Sequence, residues 1–220
     1  MTAWPSVRLQ EVASIDRIGV KPSDIEDDTH YVGLEHIESG GRLLDVATVT
    51  NGDLASTKFR FTKNHLLYGK LRPYLTKIAM PHFDGICSTD ILPILPGKTL
   101  DRSYITHFLR QPSMVNLATS RSTGASLPRL SPKALADFRI PLPPLAEQKR
   151  IAAILDQADH LRRLRQRAID RLNDLGQSVF YEMFGDPSKN EKGFEITRLG
   201  EVCDVRDGTH DSPKYVEEGY

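Results

Sequence analysis

The sequence predicts an α/β chain with one mixed α/β domain over residues 1–143, followed by a long coiled-coil-forming helix over 144–185. Residues 186–220 are expected to open a second domain or to form a C-terminal tail. Three observations predict this. Short apolar runs bounded by turn residues fill residues 7–140, an apolar stripe at helical spacing follows, and a motif near the start recurs near residue 194. At 220 residues and 39% hydrophobic content the chain is long enough to bury a real core.

Within the first segment, Tyr31-Val-Gly-Leu, Ile78-Ala-Met and Ile91-Leu-Pro-Ile-Leu are short apolar runs between Gly, Pro, Asp and Asn, and are expected as strands. Ser103 to Gln111 carries Ile105, Phe108 and Leu109 at helical spacing, with Pro112 as a stop, so one internal helix is expected. Ile140-Pro-Leu-Pro-Pro-Leu cannot be helical, because its prolines fix φ and remove backbone donors. It is expected as a stiff, extended exit.

After it, Ile151, Ile154, Ala158, Leu161, Ala168, Leu172, Leu175 and Val179 are spaced by threes and fours, with Arg165 the polar entry in the seam. Such a narrow stripe is the pattern of a coiled coil. Gly185-Asp-Pro ends it. A helix from Ala146 to about Met183 is about 55 Å long at 1.5 Å per residue. No second helix of that length is evident in the sequence, so an intermolecular partner is expected. Beyond it, Arg198, Leu199, Glu201 and Val202 repeat Arg8, Leu9, Glu11 and Val12, with an aromatic residue heading each copy, Trp4 and Phe194.

Net charge is zero, with 29 basic and 29 acidic residues, yet the charges are segregated. Leu54–Phe83 holds no acid while carrying Lys58, Arg60, Lys63, Lys70, Arg72 and Lys77. Arg102–Ala136 likewise holds none and carries Arg102, Arg110, Arg121, Arg129 and Lys133. Two such runs build one basic face if they meet in the fold.

Catalytic and metal motifs are absent from the sequence. Gly97-Lys98-Thr99 resembles the end of a phosphate loop, but Leu92 stands where the first glycine belongs. Glu147-Gln148-Lys149 with Asp137 resembles a nuclease acid set, but the proline run separates its members and Glu147 opens a helix. The histidines at 30, 36, 65, 82, 107, 160 and 210 lack ligand spacing. Cys87 and Cys203 form no paired-cysteine motif, and the start lacks the apolar run of a signal peptide. A cytoplasmic, non-membrane protein without a metal is expected.

Three segments together resemble the DNA specificity subunits of type I restriction-modification systems. They are Leu66-Leu-Tyr-Gly-Lys-Leu-Arg-Pro-Tyr-Leu-Thr-Lys-Ile-Ala, then Phe83-Asp-Gly-Ile-Cys-Ser-Thr-Asp-Ile, and Thr123-Gly-Ala-Ser-Leu-Pro-Arg-Leu-Ser running into Ile140-Pro-Leu-Pro-Pro-Leu-Ala-Glu-Gln-Lys-Arg-Ile. The last element, at the helix start, is the most specific. The resemblance implies a target-recognition domain reading half of a bipartite site on double-stranded DNA, and a helix that docks an adenine-N6 methyltransferase subunit. Full-length members have two such domains separated by two long antiparallel helices. S-adenosylmethionine would then act in the methyltransferase, and ATP and Mg²⁺ in a motor-nuclease subunit, with no cofactor and no catalysis on this chain.

Against that pattern the chain holds one recognition domain, one helix and the opening of a second domain. Pairing of two copies through the helix is the expectation, giving a homodimer suited to a symmetric site. Lys70, Arg72, Lys77, Ser122, Thr123, Gly124 and Arg129 are the expected DNA-contacting positions. Two other readings are an assembly scaffold that binds methyltransferase but no longer reads DNA, and a recognition fragment of a fused methyltransferase-nuclease.

Overall fold

Strand β1 (Ser6–Arg8) runs into a single-turn helix α1 (Leu9–Val12) and strand β2 (Ala13–Ile15), in a computed structural model that describes residues 4–204 and 206. Strands β3 (Gly19–Val20), β4 (Thr29–Val32), β5 (Thr48–Val49) and β6 (Lys58–Phe61) follow, then β7 (Leu66–Gly69), β8 (Ile78–Ala79), β9 (Gly85–Cys87) and β10 (Ile91–Pro96). Helices α2 (Arg102–Leu109), α3 (Pro112–Ser120) and α4 (Pro132–Ala136) precede β11 (Arg139–Pro141), the long helix α5 (Leu145–Phe184) and a short α6 (Leu199–Val202).

The strands form a four-stranded sheet in the order β2-β10-β7-β8, a five-stranded sheet in the order β3-β6-β9-β4-β5, and a β1-β11 ribbon. Pairing is antiparallel except between β4 and β9, where Tyr31 lies opposite Ile86. The expected strands at Tyr31, Ile78 and Ile91 are present as β4, β8 and β10. Their continuous apolar character follows from burial on both faces. In β7, Leu66 and Tyr68 point into one core, shared with α2, α3 and α4, while Leu67 points into a second core with Val32, Phe61 and Cys87. Successive side chains leave a strand on opposite faces, so a two-sided strand needs no polar alternation.

The helical content departs from expectation. One internal helix was expected, but the chain makes α2, α3 and α4. Pro112 both stops α2 and starts α3, because a proline at the first helical position loses only an N–H that has no partner there. Pro132 opens α4 in the same way, capped by Ser131 Oγ accepting from Ala134 N at 3.1 Å.

The proline-rich exit is extended as expected, but part of it is a paired strand. Val7 lies opposite Ile140, and Leu142 N donates to Pro5 O at 2.8 Å. The chain divides into two compact units, 1–162 and 163–220. Ile151 and Ala152, in the first turns of α5, pack into the core of the first unit. Ile154, Leu161, Leu172, Leu175 and Val179 of the seam are exposed by 41–66% of their surface, and Ala158 and Ala168 are exposed too. No helix among the described residues is long and apolar enough to cross a membrane.

The internal sequence echo is also an echo of backbone. Arg8 (φ −79°, ψ 149°) and Arg198 (φ −79°, ψ 140°) each precede a one-turn helix, and Ala13 (φ −149°, ψ 155°) and Cys203 (φ −140°, ψ 144°) each close it. Burial separates the copies. Leu9 is fully buried, whereas Leu199 is 65% exposed. The last residue of the second copy, Val205, and the tail from 207 onward lie outside the described residues.

Candidate nucleic-acid interface

Two segments more than fifty residues apart meet in a small antiparallel ladder. Lys70 O accepts from Leu130 N at 2.9 Å and Arg72 N donates to Pro128 O at 2.8 Å, which places Leu71 opposite Arg129. The 123–129 loop closes onto the same strand, with Thr123 and Arg129 exchanging both backbone hydrogen bonds at 3.0 and 2.8 Å. Lys70, Arg72, Thr123 and Arg129 are thus held by backbone bonds rather than by loop chance. Arg72 and Arg129 are exposed, and Lys70 is half-buried.

The turn beyond this ladder is conformationally costly. Arg72 (φ 50°, ψ 64°) and Thr76 (φ 51°, ψ 41°) are both left-handed and flank the 3₁₀ turn Pro73–Leu75. A non-glycine residue there costs about 1–2 kcal/mol, so the surrounding bonds must hold it. The turn lifts Tyr74 to 50% exposure beside Arg72. On the facing loop, Gly124 has φ 105°, and an added Cβ would stand 2.9 Å from Leu127 O. Only glycine suits that position. Ser122 Oγ donates to Ala118 O at 2.8 Å, anchoring the loop to the end of α3.

Asp90, which sequence reasoning did not single out, ties the ladder together. Its backbone carbonyl accepts from Lys70 N at 2.9 Å. Its carboxylate lies 3.7 Å from Lys70 Nζ and 3.1 Å from Arg129 Nε. That hydrogen bond, with the carboxylate charge, holds the Arg129 guanidinium above its already high ordinary pKa. Asp90 belongs to the second of the three family-like segments, so all three converge on one spot. A run of basic residues is visible in a sequence, whereas a single acid brought in from a third segment is not. Arg72 has no ion-pair partner among the described residues.

Several other cations of the acid-free runs are turned inward, whereas Arg60, Lys63, Arg121 and Lys133 are exposed. Lys77 is one of those turned inward. Its Nζ donates to Leu34 O at 2.7 Å, so it braces the turn that carries Arg72 rather than standing free. Lys58 is buried, donating to Ser56 O at 2.8 Å, and Arg110 donates to Ile78 O at 2.6 Å. Arg102 donates to the carbonyls of Lys63, His65 and Pro81, and burial lowers its pKa. Long basic side chains readily satisfy buried carbonyls, so residue type alone does not predict exposure.

The residues screened for chemistry have structural partners. Glu147 accepts from Arg150 at 2.7 and 2.8 Å, which lowers its pKa. Asp137 lies 3.9 Å from Arg8, well removed in role from Glu147. His65 pairs with Asp16 at 3.1 Å and His107 with Asp156 at 2.7 Å. Among the described residues no group of three or more His, Cys, Asp or Glu side chains is placed to hold a metal. Gly97 N donates to Val12 O, so the Gly97-Lys98-Thr99 turn is engaged in backbone pairing rather than forming a phosphate cradle.

Comparisons with known proteins place the chain in one family. Residues 1–174 match the family model described as type I restriction modification DNA specificity domain. The EcoDI specificity subunit of Escherichia coli is 30% identical over 186 residues, covering 82% of this chain and 41% of that subunit. The MjaVIII specificity subunit of Methanocaldococcus jannaschii is 29% identical over 119 residues, covering 54% of this chain and 28% of that one. Among solved structures, the HsdS subunit from Thermoanaerobacter tengcongensis superposes with a TM-score of 0.64 at 27% identity, covering 93% of this chain and 55% of that one. The chain therefore spans about half the length of the structure it matches and less of the subunits named above. Family model, relatives and fold lead to one conclusion: the chain belongs to the type I restriction-modification DNA specificity family.

Proposed function

We propose that the first unit reads one half of a bipartite site on double-stranded DNA, and that α5 pairs with the same helix of a second copy and docks an adenine-N6 methyltransferase subunit. The observation that carries the DNA reading is the backbone ladder that joins Lys70 and Arg72 to Thr123 and Arg129. Cations on a rigid support release counterions from phosphates and fix the domain's register, while Ser122, Thr123 and Gly124 permit close approach to a groove. Lys77 holds the turn in shape. S-adenosylmethionine acts in the methyltransferase, and ATP and Mg²⁺ in a motor-nuclease subunit.

The exposed seam of α5 supports the pairing, because a stripe of leucine and isoleucine left in water is an unsatisfied interface. The echo at Arg198–Cys203 supports the start of a second recognition domain, since the same local fold buries Leu9 in the first copy.

The test is DNA binding over a range of salt with the methyltransferase subunit present. Arg72→Ala and Arg129→Ala each weaken binding and reduce the salt slope by about one. An unchanged slope removes the residue from the contact list. The scaffold reading has one observation in its favour, the partial neutralisation of Lys70 and Arg129 by Asp90. A complex that forms with methyltransferase but shifts no DNA would support that reading instead.

A further inference from the structure

Tyr74 stands at the crest of the strained turn beside the ladder. Its neighbours Pro73 and Leu75 are buried and half-buried, whereas Tyr74 is 50% exposed. Its side chain makes no hydrogen bond, ion pair or ring contact among the described residues. The other tyrosines of the first unit are engaged. Tyr68 lies in the core, Tyr104 Oη donates to Pro141 O at 2.8 Å, and Lys58 Nζ lies over the Tyr31 ring, 5.8 Å from its centre. A lone exposed aromatic residue is ordinary on a protein surface, so exposure alone assigns nothing to Tyr74.

The support beneath Tyr74 sets it apart. Arg72 and Thr76 both hold left-handed backbone without being glycine, and Thr is β-branched, a class of residue poorly suited to that region. Backbone bonds close the turn from both ends. Leu75 N donates to Arg72 O and Thr76 N to Pro73 O, each at 2.9 Å, while Arg72 N donates to Pro128 O and Gly69 N to Lys77 O, each at 2.8 Å. Helix α3 packs against the same turn. A costly backbone held this firmly presents the Tyr74 ring at a fixed place next to exposed Arg72. The setting is also chemically mixed. Arg72 and Arg129 are cations suited to phosphate, while Leu127, 42% exposed, immediately precedes the Pro128 whose carbonyl takes Arg72 N. Phosphate contacts carry no sequence information, so a reading surface needs something else among its cations.

The degree of exposure decides what the ring can do. A side chain inserted between base pairs needs both faces uncovered, whereas a ring half covered by its own turn offers one face or one edge. One apolar face matches one group in the major groove, the thymine C5-methyl, which is the apolar feature of the base edges there. We propose that Tyr74 is a specificity-determining residue that reads a thymine by contact of its ring with the C5-methyl, while Arg72 and Arg129 engage phosphates beside it. This rests on the DNA reading above and adds to it the residue and the base group through which one position of the site is told apart from the others.

The test uses the full chain with the methyltransferase subunit present, and a duplex selected by that complex from a random pool. Each thymine of the duplex is replaced in turn by uracil, which removes the methyl group and leaves base pairing unchanged. One such replacement is expected to weaken binding by the unsubstituted chain about fourfold, the effect of one buried methyl group. In Tyr74→Ala the selected duplex is expected to bind about fivefold or more weakly and non-specific duplex within about twofold, with no further loss from that uracil. Tyr74→Phe keeps the ring and removes only the hydroxyl, so the uracil sensitivity is expected to remain. A selected duplex that tolerates uracil at every thymine overturns the proposal without need of any variant. So does uracil sensitivity that persists unchanged in Tyr74→Ala, or that disappears in Tyr74→Phe, or a Tyr74→Ala loss shared equally by selected and non-specific duplexes. A complex that selects no sequence from the pool overturns the DNA reading itself, and the role of Tyr74 with it.

Discussion

Replacing Asp90 with Asn leaves the backbone ladder of Lys70, Arg72 and Arg129 in place while removing the carboxylate that engages two of those cations at 3.7 and 3.1 Å. These pairs are half-buried at the protein surface, where an ion pair stabilises by about 0–1 kcal/mol, so the fold should survive. Non-specific DNA affinity should rise and the salt slope steepen by up to about two, measured by anisotropy titration at several salt concentrations. A fall in affinity would mean that Asp90 positions the cations more than it masks them. The two cysteines give a second residue-scale prediction. Cys203 is exposed and should react with a thiol reagent in the native protein, whereas Cys87 is fully buried and should react only on unfolding. Burial also pushes the Cys87 thiol and the Tyr68 hydroxyl up. An unfolded chain loses those protons near pH ~8.5 and ~10, and the folded chain holds them longer. Stability should therefore be intact below about pH 8 and fall as pH rises beyond it. At this scale the sequence was a partial guide. Arg72 and Arg129 stand exposed as expected, but Lys77 donates inward to Leu34 O, and Asp90 entered from a segment whose charge looked unremarkable.

Helix α5 was legible because its signal is local and long. An apolar stripe running from Ile151 to Val179 survives any single misreading, and the start and end found, Leu145 and Phe184, differ by one residue each from the expected ones. Helices α3 and α4 were missed because both begin at a proline: Pro112 was read as a stop rather than as a first helical residue, and Pro132 was not read as a helix start. Strands of two residues, such as β3 and β5, carry too little pattern to be read, since tertiary pairing defines them. The exposed seam yields the prediction at this scale. Leu172 is 66% exposed and lies outside the first unit, so that unit's melting should not change in Leu172→Glu. Each buried leucine in a helix pair contributes about 1.5–3 kcal/mol, and the substitution occurs twice in a symmetric pair. Sedimentation at micromolar concentration should show the substituted chain as a monomer and the unsubstituted chain as a dimer. A dimer that persists in Leu172→Glu would move the interface off the seam.

For the whole molecule, charge totals were silent and charge placement was informative only in part. Net charge is zero, and of the basic residues in the two acid-free runs, Lys58, Lys77, Arg102 and Arg110 are spent on internal carbonyls. Among the cations that remain, Lys70, Arg72 and Arg129 stand on a backbone ladder, and beyond them runs a helix that leaves an apolar seam exposed. On the proposed function, such a molecule gains affinity modestly from charge and selectivity from the geometry of the recognising surface. The most direct measurement is selection of bound duplexes from a random DNA pool by the chain assembled with its methyltransferase subunit. The account predicts enrichment of two short defined blocks, related by symmetry and separated by a spacer of one length. A pool that stays random, or that yields a single uninterrupted block, would contradict it.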